Sequence, residues 1–181
     1  MPKFAANLSL LFTEYDFPKR FVHAAAAGFT GVEFLFPYDY DPYQIKQWLD
    51  DQELEQVLFN LPAGHWGSGE RGLACLPSRQ DEFREGVHQA MEYAEVLGNH
   101  LLHCMAGIKP EGMLFADALD CYIENIEYAA NVAAQHNRII CIEPINSYDM
   151  PGYLLNYSED ALEIISELGH PHVRLQYDMY H

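Results

Sequence analysis

The sequence predicts an α/β fold built on a parallel sheet, on three observations. Short apolar β-type runs alternate with amphipathic helical stretches along the whole chain. Gly28, Gly98 and Gly169 fall just past three of the helical stretches, where helix C-termini favour glycine. Two late strands each end on a carboxylate, Ile139-Ile140-Cys141-Ile142-Glu143 and Val173-Arg174-Leu175-Gln176-Tyr177-Asp178.

The elements follow in order. A strand over Phe4 to Asn7 leads to a helix over Phe17 to Ala27. A strand over Gly31 to Phe36 precedes a helix over Pro42 to Gln52, with proline at the helix start. A third strand, Glu55 to Asn60, opens the longest connection, Leu61 to Arg79. That loop holds four glycines, two prolines, His65 and Trp66, and a loop of such length after a strand is often functional. Helix Gln80 to Leu97, strand His100 to Cys104, helix Ala116 to His136 and strand Arg138 to Glu143 come next. Ser158 is expected to cap a helix running to Leu168, with Glu159 and Asp160 in its first turn. The sixth strand spans Val173 to Tyr177.

Two architectures fit this alternation, a doubly wound open sheet and a (β/α)8 barrel. No Gly-x-Gly-x-x-Gly follows any strand and no Walker motif exists, which disfavours the nucleotide-binding, doubly wound form. The barrel takes about 250 residues and eight strands. At about 30 residues per unit, this chain holds about six of those strands. The reading is therefore a single TIM-barrel domain over residues 1–181, C-terminally incomplete. No composition shift or low-complexity tract divides it.

Composition narrows the function classes. Apolar content is 49% and charged content 20%, as in globular domains. No apolar run is long enough to span a bilayer, and the N-terminus lacks a signal peptide's long apolar region, so a cytoplasmic protein is expected. The cysteines Cys75, Cys104, Cys121 and Cys141 form no Cys-x-x-Cys pair and read as small core residues. Formal net charge is -17, with only ten Lys and Arg. Such a chain has little with which to track a phosphate backbone, so nucleic-acid binding is disfavoured. An acidic small substrate would need a local cationic centre, which a bound divalent metal supplies.

The acids carry the chemistry. Glu143 ends an apolar strand and Pro144 stops the ladder after it. A carboxylate there is costly unless paired, hydrogen-bonded or metal-bound; the alternative is an exposed loop glutamate. Asp178 stands in the matching place after the sixth strand, where its alternative role is a helix N-cap. Both acids sit at the barrel face that carries active sites, and Asn7, Glu33, Asn60, Cys104, Glu143 and Asp178 are expected near this one rim. Hard oxygen ligands of this kind suit Mg²⁺ or Mn²⁺. His181, three residues after Asp178, is placed near the metal or the substrate. Glu33 lines the barrel mouth or is a paired core acid, and the strand context favours neither. His65 is a candidate to cap a small substrate, whereas Trp66 reads better as ordinary loop packing and His103 as a hydrogen-bonded core histidine.

Several segments together carry a family resemblance. They are Phe4-Ala5-Ala6-Asn7-Leu8-Ser9, Gly31-Val32-Glu33-Phe34-Leu35-Phe36-Pro37-Tyr38-Asp39-Tyr40 and Asn60-Leu61-Pro62-Ala63-Gly64. Further on come Gly69-Glu70-Arg71-Gly72, Ile142-Glu143-Pro144-Ile145-Asn146 and Gln176-Tyr177-Asp178-Met179-Tyr180-His181. On these the chain resembles, from end to end, the hydroxypyruvate isomerase family within the xylose-isomerase-like barrels. The resemblance implies a (β/α)8 barrel, a divalent metal, and interconversion of hydroxypyruvate with tartronate semialdehyde. It implies that Glu143 is a metal-site glutamate that also gives or takes the proton, and that Asp178 is a second metal ligand. It also implies a glutamine and a second glutamate from later strands, beyond His181.

Alternatives remain open at this point: a 2-oxo-tetronate isomerase or sugar epimerase on the same scaffold, or a non-catalytic barrel fragment. Expected partners are a small hydroxy-oxo acid and other copies of the chain, with no nucleic acid and no membrane. A barrel lacking two strands exposes unpaired edges. The isolated 181-residue chain is therefore expected to self-associate and to lack isomerase activity.

Overall fold

The computed structural model describes residues 2–181. Strands β1 (Ala5–Asn7), β2 (Gly31–Glu33), β3 (Glu55–Gln56), β4 (Leu58–Asn60), β5 (Leu101–His103), β6 (Ile139–Ile142) and β7 (Val173–Leu175) are all parallel. Helices α1 (Phe17–Ala26), α2 (Pro42–Asp51), α3 (Gln80–Leu97), α4 (Phe115–Gln135) and α5 (Ser158–Leu168) connect them. Among the described residues, β1 and β7 each have one partner.

Strand order is sequential, β1-β2-β3 and then β4-β5-β6-β7. A doubly wound sheet would reverse direction at a switch point; here each strand lies beside the next, as in a barrel. The expected third strand is divided into β3 and β4 at Val57, which makes seven strands where six are read from the sequence. The split has a hydrogen-bonding cause. Val57 N–H donates to the Val32 carbonyl at 2.8 Å, so β3 pairs back to β2, while Leu58–Asn60 pairs forward to β5.

Helix limits agree with the sequence reading to within a residue, with one correction at a cap. Tyr157, not Ser158, precedes α5, and Ser158 is its first helical residue, with no side-chain capping bond. Glu159 and Asp160 do occupy the first turn, where they face the positive end of the helix dipole. Gly98 and Gly169 close α3 and α5 in the left-handed conformation, whereas Gly28 lies one residue past the Ala27 cap of α1.

Alternation along each strand sorts side chains into two sets. Ala6, Val32, Phe59, Leu102 and Ile140 are fully buried in the apolar core shared with the helices. Asn7, Glu33, Asn60, His103 and Glu143 turn instead into a common cavity at the strand C-termini. The sequence reading sets Cys104 at this rim. Cys104 is buried, but its neighbour His103 is the cavity residue, because adjacent strand positions point to opposite faces.

The long loop after β4 is held close to the sheet. Gly72, at φ +122°, approaches the strand-end backbone so tightly that a Cβ would lie 2.5 Å from the Met105 carbonyl oxygen. Cys75 N–H donates to the Ala106 carbonyl at 2.9 Å, stitching the loop to the segment after β5.

Candidate active site

The cavity at the strand C-termini measures about 210 Å³. Each strand end contributes through the same physical device: a short apolar ladder that fixes a polar side chain where pairing stops. Asn7 ends β1 and its Nδ2 donates to Glu33 Oε1 at the end of β2, at 3.0 Å. Asn60 ends β4 and lies across the ladder from His103 at the end of β5. Glu143 follows β6 directly, and Gln176 and Asp178 follow β7.

The electrostatics are one-sided. Glu143, Glu33 and Asp178 line the cavity, and no Lys or Arg does so among the described residues. Burial raises the Glu143 carboxyl to about 7; the Gln176 amide opposes this, while the charges of Asp178 and Glu33 add to it. Burial likewise raises Glu33, against the pull of the Asn7 amide and with a push from Asp178. These are carboxylates set close together without a counter-charge, an arrangement that costs free energy and is kept where it serves chemistry.

Two histidines face the same space in different states. Burial drives His103 down to about 3, helped by the nearby His181, so its ring is neutral. Its 3.8 Å approach to Glu143 is therefore a polar contact and not an ion pair. His103 Nδ1 lies 3.1 Å from Asn60 Oδ1, and its buried Nε2 has no partner within the protein. His181 Nδ1 lies 2.9 Å from Asn146 Nδ2, whose donated proton fixes the ring against the loop after β6. Asn146 also accepts from the N–H groups of Tyr148 and Asp149, so one side chain shapes this loop and orients His181.

Glu143, Asp178 and His181 each bring one donor atom, and the three atoms lie within 4.8 Å of one another. Two carboxylates and an imidazole form a donor set that fits a divalent cation. The fit is stronger because Glu143 is buried with no Lys or Arg lining its cavity among the described residues.

The sequence-derived candidates are placed as follows. Glu143, Asp178, His181 and Glu33 share the cavity. His65 does not line it: the ring is exposed, and only its backbone is engaged, with its N–H donating to Glu70. Trp66, read from sequence as loop packing, is the residue of that pair that reaches the cavity. Asn7 and Asn60 stand at the rim where the sequence places them, and His103, Gln176 and Asn146 join the constellation although sequence reasoning gave them no role in it. The signal that could have found them is position: each stands at or just after the end of a parallel strand.

The chain matches the family model of the xylose isomerase-like TIM barrel over residues 21–181. Over its full length it is 48% identical to hydroxypyruvate isomerase of Escherichia coli (strain K12), covering 70% of that protein. The chain belongs to the hydroxypyruvate isomerase family.

Within this family the finer activity is divided. A 2-oxo-tetronate isomerase of Cupriavidus necator is 47% identical over the same 181 residues, again with 70% of the relative covered. A solved structure from Brucella melitensis, called AP endonuclease, family 2, superposes with a TM-score of 0.97 at 45% identity, over 99% of this chain and 69% of that one. Isomerases acting on small molecules are thus close relatives, and the seven strands form part of the same barrel.

Proposed function

We propose that the site interconverts hydroxypyruvate and tartronate semialdehyde by proton transfer, with Glu143 as the acid–base group. The single observation that carries the reading is the placement of Glu143, a buried carboxyl whose donor atom lies within 4.8 Å of those of Asp178 and His181. A carboxyl fixed at the wall of the cavity can take a proton from the substrate and return it.

The reaction moves a carbonyl between adjacent carbons of a three-carbon acid. A proton leaves the hydroxymethyl carbon, another is added to the neighbouring carbon, and the hydroxyl proton passes between the two oxygens. No oxidant or reductant is consumed. Glu143, Asp178 and His181 would hold the divalent metal, Mg²⁺ or Mn²⁺. When bound, the metal supplies an electrophile that acidifies the C–H next to a carbonyl and stabilises charge on the oxygen. Glu143 accepts the carbon-bound proton and delivers it to the adjacent carbon. Asn7 and Asn60 present amides to the substrate oxygens, and the neutral His103 adds a polar group without a competing positive charge. The side chains of Ile145 and Met150 add apolar wall to the cavity.

The reading disfavours phosphate backbones as ligands. A net charge of -17 and a cavity lined by carboxylates repel a polyanion. A four-carbon 2-oxo-tetronate is the second reading, favoured by the near-equal likeness to that relative.

Rates on hydroxypyruvate and 2-oxo-tetronate, measured side by side in H₂O and in D₂O on a version extended to the full length of the relatives, test both. Proton transfer predicts solvent deuterium on the product carbon. Retention of the substrate hydrogen would replace it with a hydride shift, and turnover of neither acid would refute the reading.

A further inference from the structure

Trp66 stands between two spaces. Its side chain borders the acid-bearing cavity of about 210 Å³ and also a neighbouring concavity of about 290 Å³. Among the described residues it is the one that lines both. The second space is bordered by Phe36, Tyr38, Asp39, Pro62 and Gln89, so it offers apolar floor together with exposed polar groups at its edge.

The indole is held from both sides. The Arg71 guanidinium lies 4.0 Å from its ring centroid, and Phe36 packs at 5.1 Å with the rings tilted by 56°. Arg71 Nη1 also donates to the carbonyls of Trp66 and Glu70, at 3.0 and 2.8 Å. Glu70 in turn accepts from the His65 N–H at 2.5 Å and from Arg79 at 2.8 Å, and Arg79 pairs with Glu82 on α3. A chain of charged contacts therefore ties the tryptophan turn to a rigid helix. An exposed loop has no need of such anchoring for packing alone. Glu70 and Arg71 are central to this anchoring, and neither reaches the acid-bearing cavity.

We propose that Trp66 is a partition that sets the length of the acid the site accepts, and that Arg71 is the positioning residue that holds it closed. The inference rests on the hydroxy-oxo acid reading of the cavity. With the indole in place, the space suits a three- or four-carbon acid. A longer, polyhydroxylated acid needs the second concavity, where Asp39 and Gln89 can bond its additional hydroxyls.

The test uses the unreactive hydroxy acids glycerate, erythronate and arabinonate, of three, four and five carbons, with Mn²⁺ present. Their binding to the wild-type protein and to Trp66→Ala, Trp66→Leu, Arg71→Ala and Arg71→Lys is measured by calorimetry, beside kcat and KM on hydroxypyruvate in the full-length version. Wild-type protein is expected to favour glycerate. Trp66→Ala should shift the arabinonate-to-glycerate affinity ratio by at least about tenfold, in the range that pocket-shape changes produce. Trp66→Leu, which keeps an apolar side chain in the turn, should shift it less and serves if the alanine variant does not fold. Arg71→Ala should move the ratio in the same direction and raise KM more than it lowers kcat. Arg71→Lys, which retains a cation for the ring, should restore most of the wild-type preference. An unchanged ratio in a folded Trp66 variant that still binds glycerate overturns the partition and leaves the acid reading standing. Failure of the wild-type protein to bind any of the three acids overturns the acid reading and the partition with it.

Discussion

The two ends of the barrel differ in what they do with space and charge. At the strand C-termini, about 210 Å³ is lined by Glu33, Glu143 and Asp178 with no Lys or Arg among the described residues. At the strand N-termini, a concavity of about 1040 Å³ is lined by Lys3, Lys46, Asp50, Glu53 and Glu55, charges of both signs. Lys46 there pairs with Asp50 one helical turn away, in solvent. The larger space thus holds compensated surface charge, and the smaller one holds buried carboxyls that repel one another. Volume alone would choose the wrong end. The energetic cost of a confined set of like charges makes the smaller space the candidate site, because such costs cluster where chemistry uses them.

The sharpest way to break this contrast is to remove one carboxylate at each end. In a full-length version, Glu143→Gln should lower turnover on hydroxypyruvate by about 10²–10⁴-fold, the usual contribution of a positioned acid–base group. Glu55→Gln, an exposed residue beside the larger concavity, should leave rates within about twofold. Steady-state rates for the two variants decide it, with circular dichroism confirming the fold. Equal losses at both ends would abolish the distinction.

A second test reads the stored repulsion directly, through stability in the metal-free protein. The Glu143 carboxyl is raised from 4.5 to about 7 in the folded chain. Between those values the native state binds a proton that the unfolded state has released. Stability contributed by the protonated group is therefore present below about 4.5 and is lost as pH rises to about 7. At about 1.4 kcal/mol per pH unit the loss is on the order of 3 kcal/mol. Glu33 is shifted in the same direction and adds to it. Denaturant titrations across this window should show the decline in the wild-type protein and a flatter profile in Glu143→Gln. A wild-type profile that rises with pH across the same window would contradict the assignment.

The sequence makes the fold legible because its local signals agree. Apolar runs, glycine stops and first-turn acids all point to the same β-α alternation, and the helices appear within a residue of expectation. Glu143 and Asp178 are legible for the same reason, since a charge at the end of a buried strand stands out against its neighbours. Illegible were the features that depend on which way a single side chain turns. His103 and Cys104 are adjacent and both buried, yet only His103 enters the cavity. His65 and Trp66 are adjacent in a loop with no periodicity, and their directions are set by a 3₁₀ turn and by Arg71. The division of the third strand at Val57 likewise depends on pairing with β2, which no local pattern contains.

Metal binding sharpens the contrast by a smaller amount. Asp178→Asn and His181→Ala each remove one donor from a set confined within 4.8 Å. Each should weaken Mn²⁺ binding by at least about tenfold, the scale of perturbing a metal site's ligands or their supports. Calorimetry or electron paramagnetic resonance reads this without any turnover. Asp50→Asn, at the other end, should leave the affinity unchanged. A loss in Asp50→Asn as large as in Asp178→Asn would locate the ion at the wrong end.

The smallest effect belongs to the pair that represents the opposite end. Lys46 and Asp50 lie on α2 at i and i+4, with side chains 39% and 61% exposed. In solvent, two flexible chains give up conformational freedom for a screened attraction, so such pairs contribute about 0.3–0.5 kcal/mol at most. Lys46→Ala should therefore change stability by no more than about 0.5 kcal/mol, and by less as salt is added. Its turnover should match the wild type, because none of the described residues that line that concavity also lines the cavity that holds Glu143. Thermal melts at low and high ionic strength, beside an assay on hydroxypyruvate, measure both quantities. A stability loss of several kcal/mol, insensitive to salt, would mean that the lysine is part of a buried network and that the two ends are more alike than their charge patterns indicate.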